Sequence, residues 1–116
     1  MLDGAFSRGT TPTHIFPLPP YVKLSDLEDF TIVYRQKNRN ILIKTKDNTS
    51  DFHFLRGKDC IALVLSQEET FMFDPKIKIV EVQIKARTVG SDVLTFGPYR
   101  LRLEDTFDPN EFDLSR

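Results

Sequence analysis

The sequence predicts an all-β domain: an immunoglobulin-like antiparallel β-sandwich of about seven strands with one or two short helical turns. Three observations predict it. Phe, Ile, Val and Thr are frequent while Ala is rare. Apolar and polar residues alternate with period two over several stretches, the signature of half-buried strands. Turn residues interrupt those stretches at short, regular intervals. A core of the antibody type, with Cys, Trp and Cys, is ruled out because the chain has no Trp and one Cys. Residues 8–104 carry the strand rhythm and form the expected sandwich domain. Residues 1–7 read as an N-terminal extension and 105–116 as an acidic C-terminal tail.

Each element follows from its residues. Gly9 to Pro20 is proline-rich, so it is expected at a sheet edge with an irregularity near Pro17, and Thr13, Ile15 and Leu18 are expected to face the core. Ser25 and Glu28 stand in capping-box relation, which predicts one helical turn before the next strand. Phe30, Ile32 and Tyr34 alternate along the strand that follows. The polar run Lys37 to Asn40 is its turn, with Asn40 suited to a positive φ. The returning strand is expected to turn Ile41 and Ile43 inward and Lys44 and Lys46 outward. Asp51 to Arg56 then places Phe52 and Phe54 on one face and His53 on the other. After a turn at Gly57 to Asp59, Ile61, Leu63 and Leu65 point inward. A second capping box, Ser66 with Glu69, predicts a helical turn that crosses between sheets, with Phe71 and Phe73 closing the sandwich end. The longest alternation runs from Lys76 to Arg87 and reads as a central strand with Val80, Val82, Ile84 and Ala86 inside. Val89 to Asp92 is the turn into the last strand, where Gly97-Pro98 predicts a bulge or an edge and Leu101 and Leu103 rejoin the core.

The same residues exclude several kinds of function. The formal net charge is -1 with both signs interspersed, so no concentrated positive field for nucleic acid is visible. No apolar run approaches the ~20 residues that span a bilayer, and no membrane role is expected. The first residues lack the basic flank and apolar stretch of a secretory signal. His14 and His53 are the only histidines, and neither has spaced Cys or His partners for a zinc site. Cys60, inside a strand-like run, reads as a small packed thiol. The carboxylates sit in capping boxes or at strand ends, not as an opposed pair for acid–base chemistry. Asp47 to Asp51 gathers oxygen ligands but reads as a turn. No cofactor, metal or catalytic residue is expected, and the chain is not read as an enzyme.

Four stretches carry a resemblance: Arg8 to His14, Val33 to Gln36, Ser66 to Thr70 and Gly90 to Asp92. They resemble a family of small proteins encoded in prophages of Gram-positive bacteria, whose chains begin with an Arg-Gly-Thr-Thr-Pro-Thr-His stretch. The Gly97-Pro98 interruption and the Phe-bearing acidic tail depart from that pattern. The resemblance implies a phage origin, synthesis in the bacterial host cytoplasm and a non-enzymatic structural or tail-assembly role in or around the virion. It implies protein partners, either tail components or further copies of the chain in a homo-oligomer. The candidate contact residues are Arg8, Thr10, Thr11, Thr13 and His14, as a strand that augments a neighbouring sheet, and Phe107 and Phe112, as anchors in the tail. The alternative is a binding module for a cell-surface glycan or a host protein.

Overall fold

Two β-sheets face each other in the computed structural model, which describes residues 3–47, 52–53 and 60–104. Among the described residues there are eight strands: β1 (Gly4–Ser7), β2 (Thr13–Pro17), β3 (Leu27–Gln36), β4 (Arg39–Thr45), β5 (Phe52–His53), β6 (Cys60–Val64), β7 (Ile79–Thr88) and β8 (Val93–Glu104). A 3-10 turn at Leu24–Asp26 precedes β3, and a short helix α1 (Gln67–Phe71) joins β6 to the loop before β7. One sheet is five-stranded, in the order β1-β8-β7-β3-β4; the other is three-stranded, in the order β2-β6-β5. This is an immunoglobulin-like sandwich.

The central strands follow the alternation. Phe30, Ile32 and Tyr34 of β3, Ile61 and Leu63 of β6, and Val80, Val82, Ile84 and Ala86 of β7 all face the core, with Leu65 just past β6. Leu101 and Leu103 of β8 join them. Ser66 caps α1 as expected: its hydroxyl accepts the Glu69 N–H at 3.2 Å, and the Glu69 carboxylate accepts the Ser66 N–H at 2.9 Å. Phe73 is buried beside it. Cys60 is a free, buried thiol. In β8, Val82 opposes Tyr99 and Ile84 opposes Phe96, so Gly97 and Pro98 bulge against Gln83. Gly97 has φ 97°, and a Cβ there would meet the Val82 carbonyl at 2.8 Å, so only glycine fits.

Five expectations are corrected. The sheet begins inside the segment read as an extension: Gly4–Ser7 forms β1 and pairs with β8, and this pairing is parallel, so the sandwich is not wholly antiparallel. In β2 the faces are exchanged, with His14 and Phe16 buried and Thr13 and Ile15 exposed; Leu18 is buried as expected. The Leu65 N–H donates to the Pro12 carbonyl, which extends the β2–β6 register and turns the backbone groups of Thr13, Ile15 and Pro17 away from β6. Pro17, having no N–H, loses no ladder bond in that phase. In β4 Ile41 packs against the core as expected, but the faces are exchanged from Leu42 onward. Arg35 opposes Asn40 while Tyr34 opposes Leu42, so Ile41 is one extra residue and Leu42 and Lys44 turn inward. The β3–β4 turn is Lys37-Asn38, with φ of 46° and 64°, while Asn40 lies within β4. Finally, the turn before β3 is capped through the Lys23 N–H and the Asp26 carboxylate at 3.2 Å, not through Ser25 and Glu28. The expected placements of Phe54, Gly57–Asp59 and the tail lie outside the described residues.

Gln36, at the end of β3, is 1% exposed and holds the loop after α1. Its amide nitrogen donates to the carbonyls of Asp74 (3.0 Å) and Ile77 (2.9 Å), and its oxygen accepts the Asp74 N–H (2.8 Å). All three bonds are buried in part, so their loss leaves unsatisfied backbone groups rather than solvated ones. Gln36→Met keeps the volume and removes the bonds; we expect it to cost about 2–3 kcal/mol. Urea denaturation checks this as a lower midpoint at unchanged m-value, and a loss under about 0.5 kcal/mol would refute the role.

Candidate functional site

The connection from β1 to β2 carries Arg8, Thr10 and Thr11 of the candidate contact residues, and its first half is tied inward. The Arg8 guanidinium donates to the Phe71 carbonyl at 3.2 Å and lies 5.3 Å from the centre of the Phe71 ring. Gly9 has φ 77°, and a Cβ there would meet that ring at 2.7 Å. The Gly9 N–H donates to the Thr70 hydroxyl at 2.9 Å, and that hydroxyl contacts the carbonyls of Thr10 (3.1 Å) and Gln67 (2.9 Å) as donor. The Thr10 hydroxyl in turn donates to Ser7 at 2.6 Å. Arg8, Gly9 and Thr10 therefore clamp the chain onto α1. Thr11 and Thr13 are exposed.

His14 goes the other way. Its Nδ1 lies 2.6 Å from the Tyr34 hydroxyl, a buried hydrogen bond from one sheet to the other. Phe6, Phe16 and Tyr34 surround the imidazole, and Phe6 packs edge-on at 4.9 Å between centroids. Burial pulls the His14 pKa from 6.5 down to about 4, so the ring is neutral at pH 7. Burial, and secondarily the Glu69 carboxylate, pushes the Tyr34 phenol well above 10, so it keeps its proton. A neutral imidazole has one N–H. If Tyr34 donates to Nδ1, that N–H is on Nε2, which is buried and has no acceptor. The opposite tautomer would leave the Tyr34 proton without an acceptor as well, so we assign the proton to Nε2. Glu69 also pairs with Lys44, which fixes the inward turn of that lysine on β4.

Between β1 and β2 the sandwich is open. A slot of about 330 Å³ runs between the edge strands of the two sheets, lined by Gly4 and Ala5 of β1, by β2, and by Tyr99 and Leu101 of β8. The volume sits at the lower end of ligand-sized cavities. At one end the Tyr99 hydroxyl donates to the Pro17 carbonyl at 2.7 Å. Burial, then the nearby Asp3 carboxylate, raises the Tyr99 pKa above 10. Sequence reading placed Thr13 and His14 in this region but missed the exposed Ile15, because period two was counted from the wrong face. Phe107 and Phe112 lie outside the described residues. Among the described residues, no group of three or more His, Cys, Asp or Glu side chains is placed to hold a metal ion. No described helix is long and apolar enough to cross a membrane.

Fold and slot together define an immunoglobulin-like sandwich with an open strand edge. No protein-family model and no curated protein sequence matches the chain. Among solved structures it is similar to the immunoglobulin-like domain of mouse leukocyte-associated immunoglobulin-like receptor 1, solved as a strand-swapped dimer, at 9% identity over 86% of this chain and 85% of that one, with a TM-score of 0.42. It is also similar to the V domain of amphioxus IgVJ-C2, at 9% identity over 86% and 97% of the two chains, with a TM-score of 0.35. Likenesses this distant concern strand arrangement alone.

The buried histidine couples stability to pH. The unfolded imidazole takes up a proton below its ordinary pKa of 6.5, whereas the folded one resists until about 4. Folding is therefore favoured by this group above pH 6.5, and that advantage fades as pH falls toward 4. Over the whole window it amounts to about 3 kcal/mol. His14→Phe should be less stable at pH 7 but insensitive to this titration, so its deficit in urea midpoint should narrow between pH 6.5 and 4. A deficit that stays constant with pH would show that His14 does not supply the dependence.

Proposed function

We propose that the chain is a non-enzymatic structural or tail-assembly accessory protein of a phage or prophage, acting through protein–protein contacts on its β1–β2 side. The observation that carries the contact surface is the edge of β2. The N–H and C=O groups of Thr13 and Ile15 face away from β6, Ile15 is 51% exposed, and no residue from Thr13 to Pro17 is charged at pH 7. An edge of this kind is a template for strand addition. Of the two edges of the five-stranded sheet, β4 carries Arg39 and Lys44 and is followed by Lys46, while β1 is uncharged but only four residues long. The phage assignment draws on the sequence resemblance, whose N-terminal stretch leads into β2. A glycan-binding role draws less support: among the exposed large hydrophobic residues described, Tyr21 is the one aromatic, too little for a stacking platform.

Thr11 and Thr13 are exposed, so Thr11→Lys with Thr13→Lys should leave the fold intact, with stability within about 0.5 kcal/mol. Mass spectrometry of purified particles and assembly intermediates should find the native chain and little of the double variant. The proposal fails if particles never contain the chain, or incorporate the variant as well as the native protein. Unfolding of the variant would instead assign these threonines to the fold.

A further inference from the structure

We infer that the partner of the β2 edge is a second copy of this chain, joined antiparallel about a two-fold axis at Ile15. This rests on the reading of that edge as a contact surface. The hydrogen-bonding groups are self-complementary. With the axis at Ile15, the Ile15 N–H of each copy donates to the Ile15 carbonyl of the other. The Thr13 N–H of each donates to the Pro17 carbonyl of the other; Pro17 has no N–H, so the Thr13 carbonyl stays with water at the end of the pairing. The Pro17 carbonyl, which already accepts the Tyr99 hydroxyl, has a second lone pair for this bond.

Side chains fit the same arrangement. Opposed residues of an antiparallel pair lie on one face, so Ile15 meets Ile15 at the axis and Thr13 meets Pro17. Ile15, half exposed in the single chain, thereby gains an apolar neighbour. His14 is neutral at pH 7 and the other residues of β2 are uncharged, so the pairing brings no like charges together. At a formal net charge of -1, whole copies repel each other little. The two-fold contact is isologous, so the same patch serves both copies.

The test uses the full chain. Across the proposed axis the two Ile15 Cα atoms stand about 5.5 Å apart, within disulfide reach. The single native cysteine, Cys60, is buried and leaves the background clean. Under mild oxidation, Ile15→Cys should convert mostly to a disulfide-linked dimer on a non-reducing gel. Val93→Cys, also exposed but on β8, should remain monomeric. Sedimentation of the native chain should show a monomer–dimer equilibrium that Ile15→Lys shifts at least tenfold toward monomer, with circular dichroism unchanged. Equal cross-linking at both cysteines, or a dimer indifferent to Ile15→Lys, overturns the proposal. So does a native chain that stays monomeric at every concentration. In that last case, continued exclusion of the Thr11→Lys, Thr13→Lys variant from particles would leave the assembly reading standing with a different partner.

Discussion

The Tyr34 hydroxyl and His14 Nδ1, 2.6 Å apart, form a polar link through a core built mainly from hydrocarbon. One partner belongs to the five-stranded sheet and the other to the three-stranded sheet. Antibody domains bridge the corresponding sheets with a disulfide packed on a Trp. Here an aromatic cluster takes that place: Phe6, His14, Phe16, Tyr34 and Phe73 meet at centroid distances between 4.9 and 6.3 Å. The link has a consequence beyond cohesion. Once His14 must face Tyr34, period two forces Thr13 and Ile15 outward. The side chains that the β2 edge exposes are thus set by a bond inside the core.

A second set of bonds secures the loops, and each runs from a side chain to distant backbone. Gln36 holds Asp74 and Ile77, Thr70 holds Gly9 and Thr10, and Arg8 holds Phe71. The side chains that make these ties, Gln36, Thr70 and Arg8, lie in the stretches on which the proposed prophage kinship rests. Much of that pattern is therefore accounted for by folding, since a small sandwich must satisfy loop backbone that its ladders do not reach. What the first stretch leaves over is Thr11 and Thr13, which make no such tie and stay exposed. Contact function is more economically sought there than in Arg8 or His14.

How far the sequence could be read depended on whether a strand obeyed one rule throughout. In β7, and in β3 from Phe30 onward, alternation is uninterrupted and the inward residues follow directly from it, whereas β6 is a short apolar run buried from Cys60 to Leu63. In β4 a bulge inserts Ile41, and one residue inverts every later position, so Ile43 ends 54% exposed and Lys44 turns inward to Glu69. Nothing in Ile-Leu-Ile-Lys distinguishes the two phases; the distinction lies in Glu69 on another element. The strand β1 was illegible because Gly-Ala-Phe-Ser is too short to show a period and its pairing partner lies nearly a hundred residues away. The site suffered the same error as β4. The resemblance pointed to the β1–β2 segment, but the choice between His14 and Ile15 for the core turns on a hydrogen bond to Tyr34 and on where Pro17 can forgo an N–H.

An uncharged edge with an exposed isoleucine at its centre is ordinarily a hazard, because it invites open-ended sheet growth. The two sheets manage this differently. The β4 edge carries Arg39 and Lys44, whereas β2 has only proline at Pro17, with Pro12 just before it. Prolines so close together limit pairing to the donors of Thr13 and Ile15, too few to template a long ladder. They still allow that short pairing with its own copy, in which every N–H of the edge finds a carbonyl. An isologous pair consumes the edge of both partners and stops at two, whereas pairing without a two-fold can continue indefinitely. Self-pairing at β2 would therefore perform the protective task that charged residues perform at β4, and would leave β1 and the rest of the β1–β2 side free for further contacts.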